Sequence, residues 1–489
     1  PAFGAKLKNF DDKGARAVTG VTNIVRLPTG VAVVGKNTWA AIQGRNALQL
    51  EWDLEACRGV SSETIFADYA KAALESGAPA RREGDALAAL GKARSKIEAV
   101  FEFPYLAHAC MEPMNCTIDF NGTSARIWSG HQMPTIDRDM AAKVLGIEPA
   151  RIEVTTTYAG GSFGRRANKH SDYVVEAAEL AKQLKKPVQL VWTREDDMRG
   201  GYYRPLTLHR AEIGFDAKGA LSGWRHAIVG QSVVGDSFFE SMMVKNGVDP
   251  TVVEGVADSR YALPDFSVDC LLKKQAVPVL WWRSVGHTHT AYVMETLIDE
   301  VAEKSKKDPL KLRRELLQKS PRHLAVIDLL AKKSGWGKRK PARGHAFGVA
   351  VHESFGSVVG QVVEISLEGS DIQVHKVWCA VHCGQVVNPE GARAQVESAL
   401  VYGISAALFG EVEIKDGAAQ QSNFHDYRVL RSSEMPEIEV AFVKSTDAPT
   451  GLGEPGVPPI APAIANAYYR LSKKRVRRLP MARALEEKA

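Results

Sequence analysis

A strand pattern, a glycine-rich loop and an amphipathic helix pattern follow one another between Ile152 and Lys185, and this run constrains the fold more than any other stretch. Ile152 to Thr157 reads as a strand. Gly160-Gly161-Ser162-Phe163-Gly164 follows as a loop. The stretch from Ser171 to Lys185 then repeats apolar residues at Val174, Ala177, Ala178, Ala181 and Leu184, a helical period. Strand, glycine loop and helix in this order can bring successive backbone N–H groups close to a ligand oxygen. The spacing is not G-x-G-x-x-G and no Gly-Lys-Ser/Thr follows, so neither a dinucleotide fingerprint nor a P-loop is indicated. Taken alone, the loop reads equally well as a tight turn.

The remaining patterns fill out an α+β chain with mixed sheets. Cys116 to Phe120 and Thr123 to Trp128 flank Asn121-Gly122, a strong hairpin signal. Helices are expected at Thr38–Leu48, Ile136–Leu145, Ala291–Lys304 and Asn388–Phe409, and a β pair over Gln361–Val381. A hairpin is expected at Asp416-Gly417, and a Gly/Pro loop from Gly451 opens into a helix reaching Leu471. Gly59 to about Arg94, rich in Ala, Glu and Arg, reads as a covering connection. The basic run Lys332 to Arg343 reads as a domain boundary.

At 489 residues the chain has room for two to four domains. A net charge of +6 with scattered Lys and Arg gives no nucleic-acid footprint. No apolar run is long enough to span a bilayer as a helix. The six cysteines include no Cys-x-x-Cys pair, so no disulfide scaffold and no iron–sulfur or zinc site is expected in this chain. The chain opens Pro1-Ala2-Phe3-Gly4 without an initiator Met or a signal-peptide pattern, which raises the expectation that a segment upstream was removed or is supplied separately.

Three short segments could carry chemistry. The first is the glycine loop. The second is Gly451-Leu452-Gly453-Glu454-Pro455-Gly456, a carboxylate on a stiff loop ahead of a helix, which reads as a general base or as a capping Glu. The third is Trp281-Trp282-Arg283-Ser284-Val285-Gly286-His287, where Arg283 suits either an oxyanion or a cation–π packing role. His287 and His289 lack further ligands at metal spacing and read as structural.

Met111-Glu112-Pro113, the glycine loop, Trp282 to Gly286, Asn388 to Gln395 and Gly453-Glu454-Pro455-Gly456 occur in an order that resembles the molybdopterin-binding subunit of the xanthine oxidase family. Tyr105 to Pro113 and Ser422-Asn423-Phe424-His425-Asp426-Tyr427-Arg428 resemble most the isoquinoline 1-oxidoreductase beta-subunit and aldehyde dehydrogenase branch. The resemblance implies a molybdenum–pterin cofactor, with the cytosine dinucleotide as its expected form. It also implies oxidative hydroxylation of an aldehyde or N-heteroaromatic substrate with water as the oxygen source. Glu454 matches the family's base. Gly161, Ser162, Phe163 and Gly164 match the loop facing the molybdenum, and Arg283 and Gln395 match cofactor-side residues; no residue is expected to ligate the metal itself.

The resemblance divides the chain into a partial hammerhead-like α/β domain (1–57), a connection (58–94) and two molybdopterin-binding domains (95–340 and 341–489). It implies electron transfer to an iron–sulfur subunit, with a cytochrome as a further candidate partner, and a location in the periplasm or at the periphery of the cytoplasmic membrane. Positions where purine hydroxylases carry polar substrate contacts match Ala167, Ser267 and Leu106, which argues against a purine. The family's Met-Gly-Gln-Gly-type loop has no match here, so a second polypeptide is expected to complete the cofactor site. The alternative class is a non-catalytic scaffold half. A nicotinamide-dependent dehydrogenase lacks both its dinucleotide fingerprint and its nucleophilic Cys.

Overall fold

The computed structural model describes residues 1–369 and 371–486. Three larger sheets organise it, each combining antiparallel pairs with one parallel pair, and the α+β class with mixed sheets is as expected.

The first sheet orders Ile152–Thr156, Ala125–Ser129, Asn115–Phe120 and Val188–Val191. Its hairpin closes because the Asn121 side chain accepts the N–H groups of Thr123 and Ser124, while Gly122 takes φ +96°. Helices Pro134–Leu145 and Asp172–Leu184 cover it, burying Ala141 and Leu145 from one, and Val174, Ala177 and Ala181 from the other.

The second sheet has five strands in the order Ala78–Glu83, Phe266–Leu272, Leu221–Gly230, Thr207–Phe215 and Ser95–Phe103. The third orders His345–Ser354, Ser357–Glu368, Asp371–His382 and Glu437–Phe442. One continuous apolar core joins these two sheets through helices His287–Lys304 and Ile460–Ser472. Glu295 ties them further: its carboxylate accepts from Arg313 Nε at 2.8 Å, Val351 N at 2.7 Å and the Tyr261 hydroxyl at 2.5 Å, all buried.

Two segments differ from their sequence reading. Residues 59–94 supply more than a covering: helix Ser62–Ala72 buries Ile65, Phe66 and Tyr69 in a second core, and Ala78–Glu83 is an edge strand of the five-stranded sheet. The basic run from Lys332 begins inside helix Pro321–Ser334, which packs Val326, Ile327 and Leu330 into the large core. Lys and Arg dominate that run because its outer face is solvated. At the N-terminus, Lys6–Asp11 pairs with Gln49–Asp53 and Val21–Leu27 with Gly30–Gly35, alongside helix Thr38–Asn46.

Candidate active site

Helix Pro389–Leu408 presents the first group of site residues. Asn388 caps it, its side chain accepting the Gly391 N–H at 3.0 Å, and Pro389 occupies the first turn, where it has no backbone donor to lose. From that fixed start Gln395, Ser398 and Tyr402 fall on one face at helical spacing. Arg283 reaches this face. Its guanidinium donates to Gly453 O (2.7 Å), Ser398 Oγ (3.0 Å), Gln395 O (3.1 Å) and Gln395 Oε1 (3.3 Å). These acceptors are all neutral, and burial lowers the Arg283 pKa.

Ser284 follows and holds Glu454 from two sides: its N–H donates to Glu454 Oε1 at 2.9 Å, and its hydroxyl to the Glu454 carbonyl at 2.7 Å. Ser284 (φ 80°) and Val285 (φ 47°) are both left-handed, a conformation that L-residues adopt at a cost of order 1–3 kcal/mol each and that clusters at functional sites. Burial raises the Glu454 pKa above that of an ordinary Glu, against the opposing pull of the Ser284 N–H and of Arg283.

The glycine loop joins the same constellation through Arg283, whose N–H donates to Phe163 O at 3.0 Å. Phe163 stacks on Tyr402 (4.3 Å between ring centroids), and Trp282 stacks on Tyr402 as well (4.5 Å). Gly164 takes φ +107°, and a Cβ there would lie 2.0 Å from Trp281 O, so only glycine fits. Beneath the loop, Glu112 accepts the Gly160 N–H at 2.5 Å and pairs with buried Arg166, whose Nε donates to Gly161 O at 3.2 Å. Burial raises the Glu112 carboxyl, but the Gly160 N–H, the Asn115 amide and Arg166 outweigh it and hold it low. Trp282 Nε1 and the Tyr427 hydroxyl both donate to Ala107 O, and the Tyr402 hydroxyl donates to His108 O, so the Tyr105–Pro113 and Ser422–Arg428 motifs brace the site from below.

The structure thus brings Glu454, Arg283, Gln395 and the Gly161–Gly164 loop together. Leu106 packs with Trp282, Ala399 and Val457, and Ala167 accepts from Trp281 Nε1 at 2.8 Å, so both are close to it. Ser267 is not brought there: it stands in the five-stranded sheet in register with Arg225 and Arg82. His287 and His289 are buried and bonded to other histidines, His352 and His209. Sequence reasoning missed Ser398 and Tyr402, which the i, i+3, i+7 spacing from Gln395 could have found. It also missed Glu254, whose carboxylate accepts the Gly286 N–H at 2.8 Å and which no local pattern marks.

The molybdopterin cofactor-binding domain family matches residues 71–317, and a second molybdopterin cofactor-binding domain matches residues 302–436. The chain belongs to the molybdopterin-binding domains of the xanthine oxidase family. This molybdopterin-binding chain is 31% identical to the isoquinoline 1-oxidoreductase subunit beta of Brevundimonas diminuta, over 100% of the chain and 64% of that protein. It is 29% identical to the membrane-bound aldehyde dehydrogenase [pyrroloquinoline-quinone] of Gluconacetobacter polyoxogenes, over 98% of the chain and 66% of that protein. It therefore spans about two thirds of the length of these two relatives. The quinoline 2-oxidoreductase structure from Pseudomonas putida 86 superposes with a TM-score of 0.81 at 15% identity, over 100% of this chain and 93% of that one. The aldehyde oxidoreductase from Desulfovibrio gigas gives 0.75 at 13% identity, over 99% and 76%. The fold is that of a molybdenum hydroxylase large subunit.

The residues present suit such a cofactor. Among the described residues, the N–H groups of Gly161, Ser162, Phe163 and Gly164 donate to no protein acceptor. Gly453 faces open space, with Gln395 Oε1 its nearest neighbour at 3.7 Å from an added Cβ. A row of free donors beside a buried guanidinium is the environment an oxygen-rich anionic group requires.

Proposed function

We propose that this chain forms the catalytic face of a molybdenum hydroxylase that oxidises an aldehyde or an N-heteroaromatic ring. When bound, the molybdenum–pterin cofactor, in its cytosine dinucleotide form, supplies a two-electron oxidation with water as the oxygen source. The free N–H groups of Gly161–Gly164 would hold oxygen atoms of the cofactor. Arg283 and the Gln395 amide, locked to each other, would hold its pterin. Glu454 accepts the proton that the water must lose, and the Ser284 N–H fixes which carboxylate oxygen stays hydrogen-bonded and which is free to take it. Apolar Leu106 and buried Ala167 leave the nearby wall without partners for a purine edge, which favours a flatter substrate.

One observation carries this reading: a single loop, Arg283-Ser284, binds both the base and the cofactor-side Gln395. A scaffold without chemistry would have no need to hold a lone carboxylate this way in a strained turn.

Electrons leave to an iron–sulfur subunit, with a cytochrome as a further acceptor, because the six cysteines here are all buried and dispersed. A second polypeptide carrying a Gly-Gln-Gly-type loop completes the site. Exposed Tyr158, Met111 and Val387, each beside a site motif, are the surface it would cover. No helix among the described residues is long and apolar enough to cross a membrane, and we place the assembly at the periphery of the cytoplasmic membrane or in the periplasm. The test is purification of the native assembly, quantification of its molybdenum and pterin, and assay against a panel of aldehydes and N-heteroaromatics. Cofactor with turnover on either class supports the reading; an assembly without molybdenum or pterin refutes it.

A further inference from the structure

The two left-handed residues of the Arg283 loop have a second consequence. The turn Ser284-Val285-Gly286 offers N–H groups to two carboxylates, Ser284 to Glu454 at 2.9 Å and Gly286 to Glu254 at 2.8 Å. Glu254 is a residue that the chemistry proposed above does not use. Its other oxygen lies 3.5 Å from His287 Nε2, and His287 Nδ1 lies 2.9 Å from His352 Nε2. His287 and His352 both line a cavity of about 130 Å³, together with Asp258, Arg260, His323 and Glu353. The Arg260 side chain is largely exposed, so this cavity reaches solvent.

We propose that Glu254, His287 and His352 form a proton-relay line that carries the proton collected by Glu454 across the Ser284–Gly286 turn to this cavity. The proposal rests on Glu454 being the base.

The line is built for close contact. Gly255, at φ +81°, has no room for a Cβ, which would stand 2.8 Å from His352 Cε1, 2.9 Å from His287 Nδ1 and 2.7 Å from Thr290 Oγ1. Any other residue would push the two rings apart. Burial pushes the Glu254 carboxyl up to about 8 against the pull of the Gly286 N–H, with Asp258, Glu454 and Asp249 adding to the rise. Burial likewise lowers His287 to about 4, opposed by Asp258, and holds His352 well below its ordinary value, with His287 and His323 adding to the fall. The resting line is therefore a carboxylic acid followed by two neutral imidazoles, each with one donor and one acceptor nitrogen.

The transfer balances without electron movement. Glu454 gives its proton, by way of solvent across the turn, to Glu254 Oε1, while the proton on Oε2 passes to His287 Nε2. His287 releases its Nδ1 proton to His352 Nε2, and His352 releases its own Nδ1 proton to the cavity. Each group then turns or re-exchanges to recover its starting form.

A purely structural Glu254, capping helix His287–Lys304, would be replaced by Gln without loss, because the amide oxygen still accepts from Gly286. A relay would not survive that change. The experiment compares wild type, Glu254→Gln, His352→Gln and Glu454→Gln as cofactor-replete native assemblies. It reads turnover against pH in dilute and concentrated imidazole, the solvent deuterium isotope effect, and the histidine ¹⁵N resonances of the cofactor-free protein. Glu254→Gln and His352→Gln should each cut turnover roughly tenfold or more in dilute buffer. KM and cofactor content should stay unchanged, the isotope effect should be larger, and concentrated imidazole should restore the rate. Glu254→Gln should also move the His287 and His352 resonances. His352→Gln breaks the line without touching the Gly286 cap, so it tests the relay even if Glu254→Gln fails to fold. Wild-type turnover, pH profile and isotope effect in these variants, alongside a collapsed Glu454→Gln, would overturn the relay and leave the base standing. Normal turnover in Glu454→Gln would remove both.

Discussion

Ser284 grips Glu454 at both ends, its N–H on the carboxylate at 2.9 Å and its hydroxyl on the residue's own carbonyl at 2.7 Å. The carboxylate is thereby fixed relative to its backbone and to Arg283, which donates to Gly453 O on the preceding residue at 2.7 Å. Precision of this kind matters because a misplaced base loses much of its catalytic value.

The acid limb of activity follows from the same environment. Glu454 accepts a proton only when ionised, and burial raises its pKa above the ordinary 4.5. The fall of kcat/KM toward acid pH should therefore be centred above 4.5, and a pH–rate profile of the native assembly checks this. A limb at or below 4.5 would mean that the titrating base is not this residue.

Glu254 makes a stability prediction independent of turnover. Its carboxyl is raised from 4.5 to about 8 in the folded chain, so between those values the folded state holds a proton that the unfolded state has released. Stability is lost as pH rises through that window. Glu254→Gln should remove this dependence, gaining on wild type between pH 4.5 and 8 and levelling off beyond. Denaturant midpoints at several pH values measure it, and identical pH slopes for both proteins would contradict it.

Arg283→Lys keeps the charge but not the fork. An ammonium cannot reach Gly453 O, Ser398 and Gln395 together, and each lost bond to a charged group is worth about 1.5–3 kcal/mol. The variant should lose bound molybdenum and pterin and become less stable, as metal analysis and thermal unfolding would record. Full cofactor retention would remove Arg283 from the cofactor site.

Two glycines should part company. Gly164→Ala forces a Cβ to within 2.0 Å of Trp281 O at φ +107° and should distort or unfold the loop. Gly453→Ala meets nothing closer than 3.7 Å. It should leave thermal stability within about 1 kcal/mol of wild type yet reduce cofactor content, because its methyl group points at the space beside Gln395. Equal stability of the two variants would contradict the geometry.

Much of this site was legible in the sequence because its parts are local. Asn388-Pro389 marks a helix start, the glycine loop sits between a strand and a helix, and Gly453 to Gly456 fixes Glu454 ahead of helix Ile460–Ser472. What could not be read is what depends on long-range approach. Helix His287–Lys304 begins four residues before the apolar period first appears at Ala291, because its opening residues are polar yet buried. Glu254, isolated in sequence, gains meaning only from the turn at Gly286. Residues 59–94 hold few large apolar residues, yet Ile65, Phe66 and Tyr69 are enough to anchor a helix on a second core.

The most direct test of the central claim is the turnover of Glu454→Gln in an assembly shown to carry its full complement of molybdenum and pterin. The amide is nearly isosteric and still accepts the Ser284 N–H, but it cannot take the proton. Turnover should fall by about 10²–10⁴-fold with fold and cofactor unchanged. Near-normal turnover in that cofactor-replete variant would show that Glu454 is not the base.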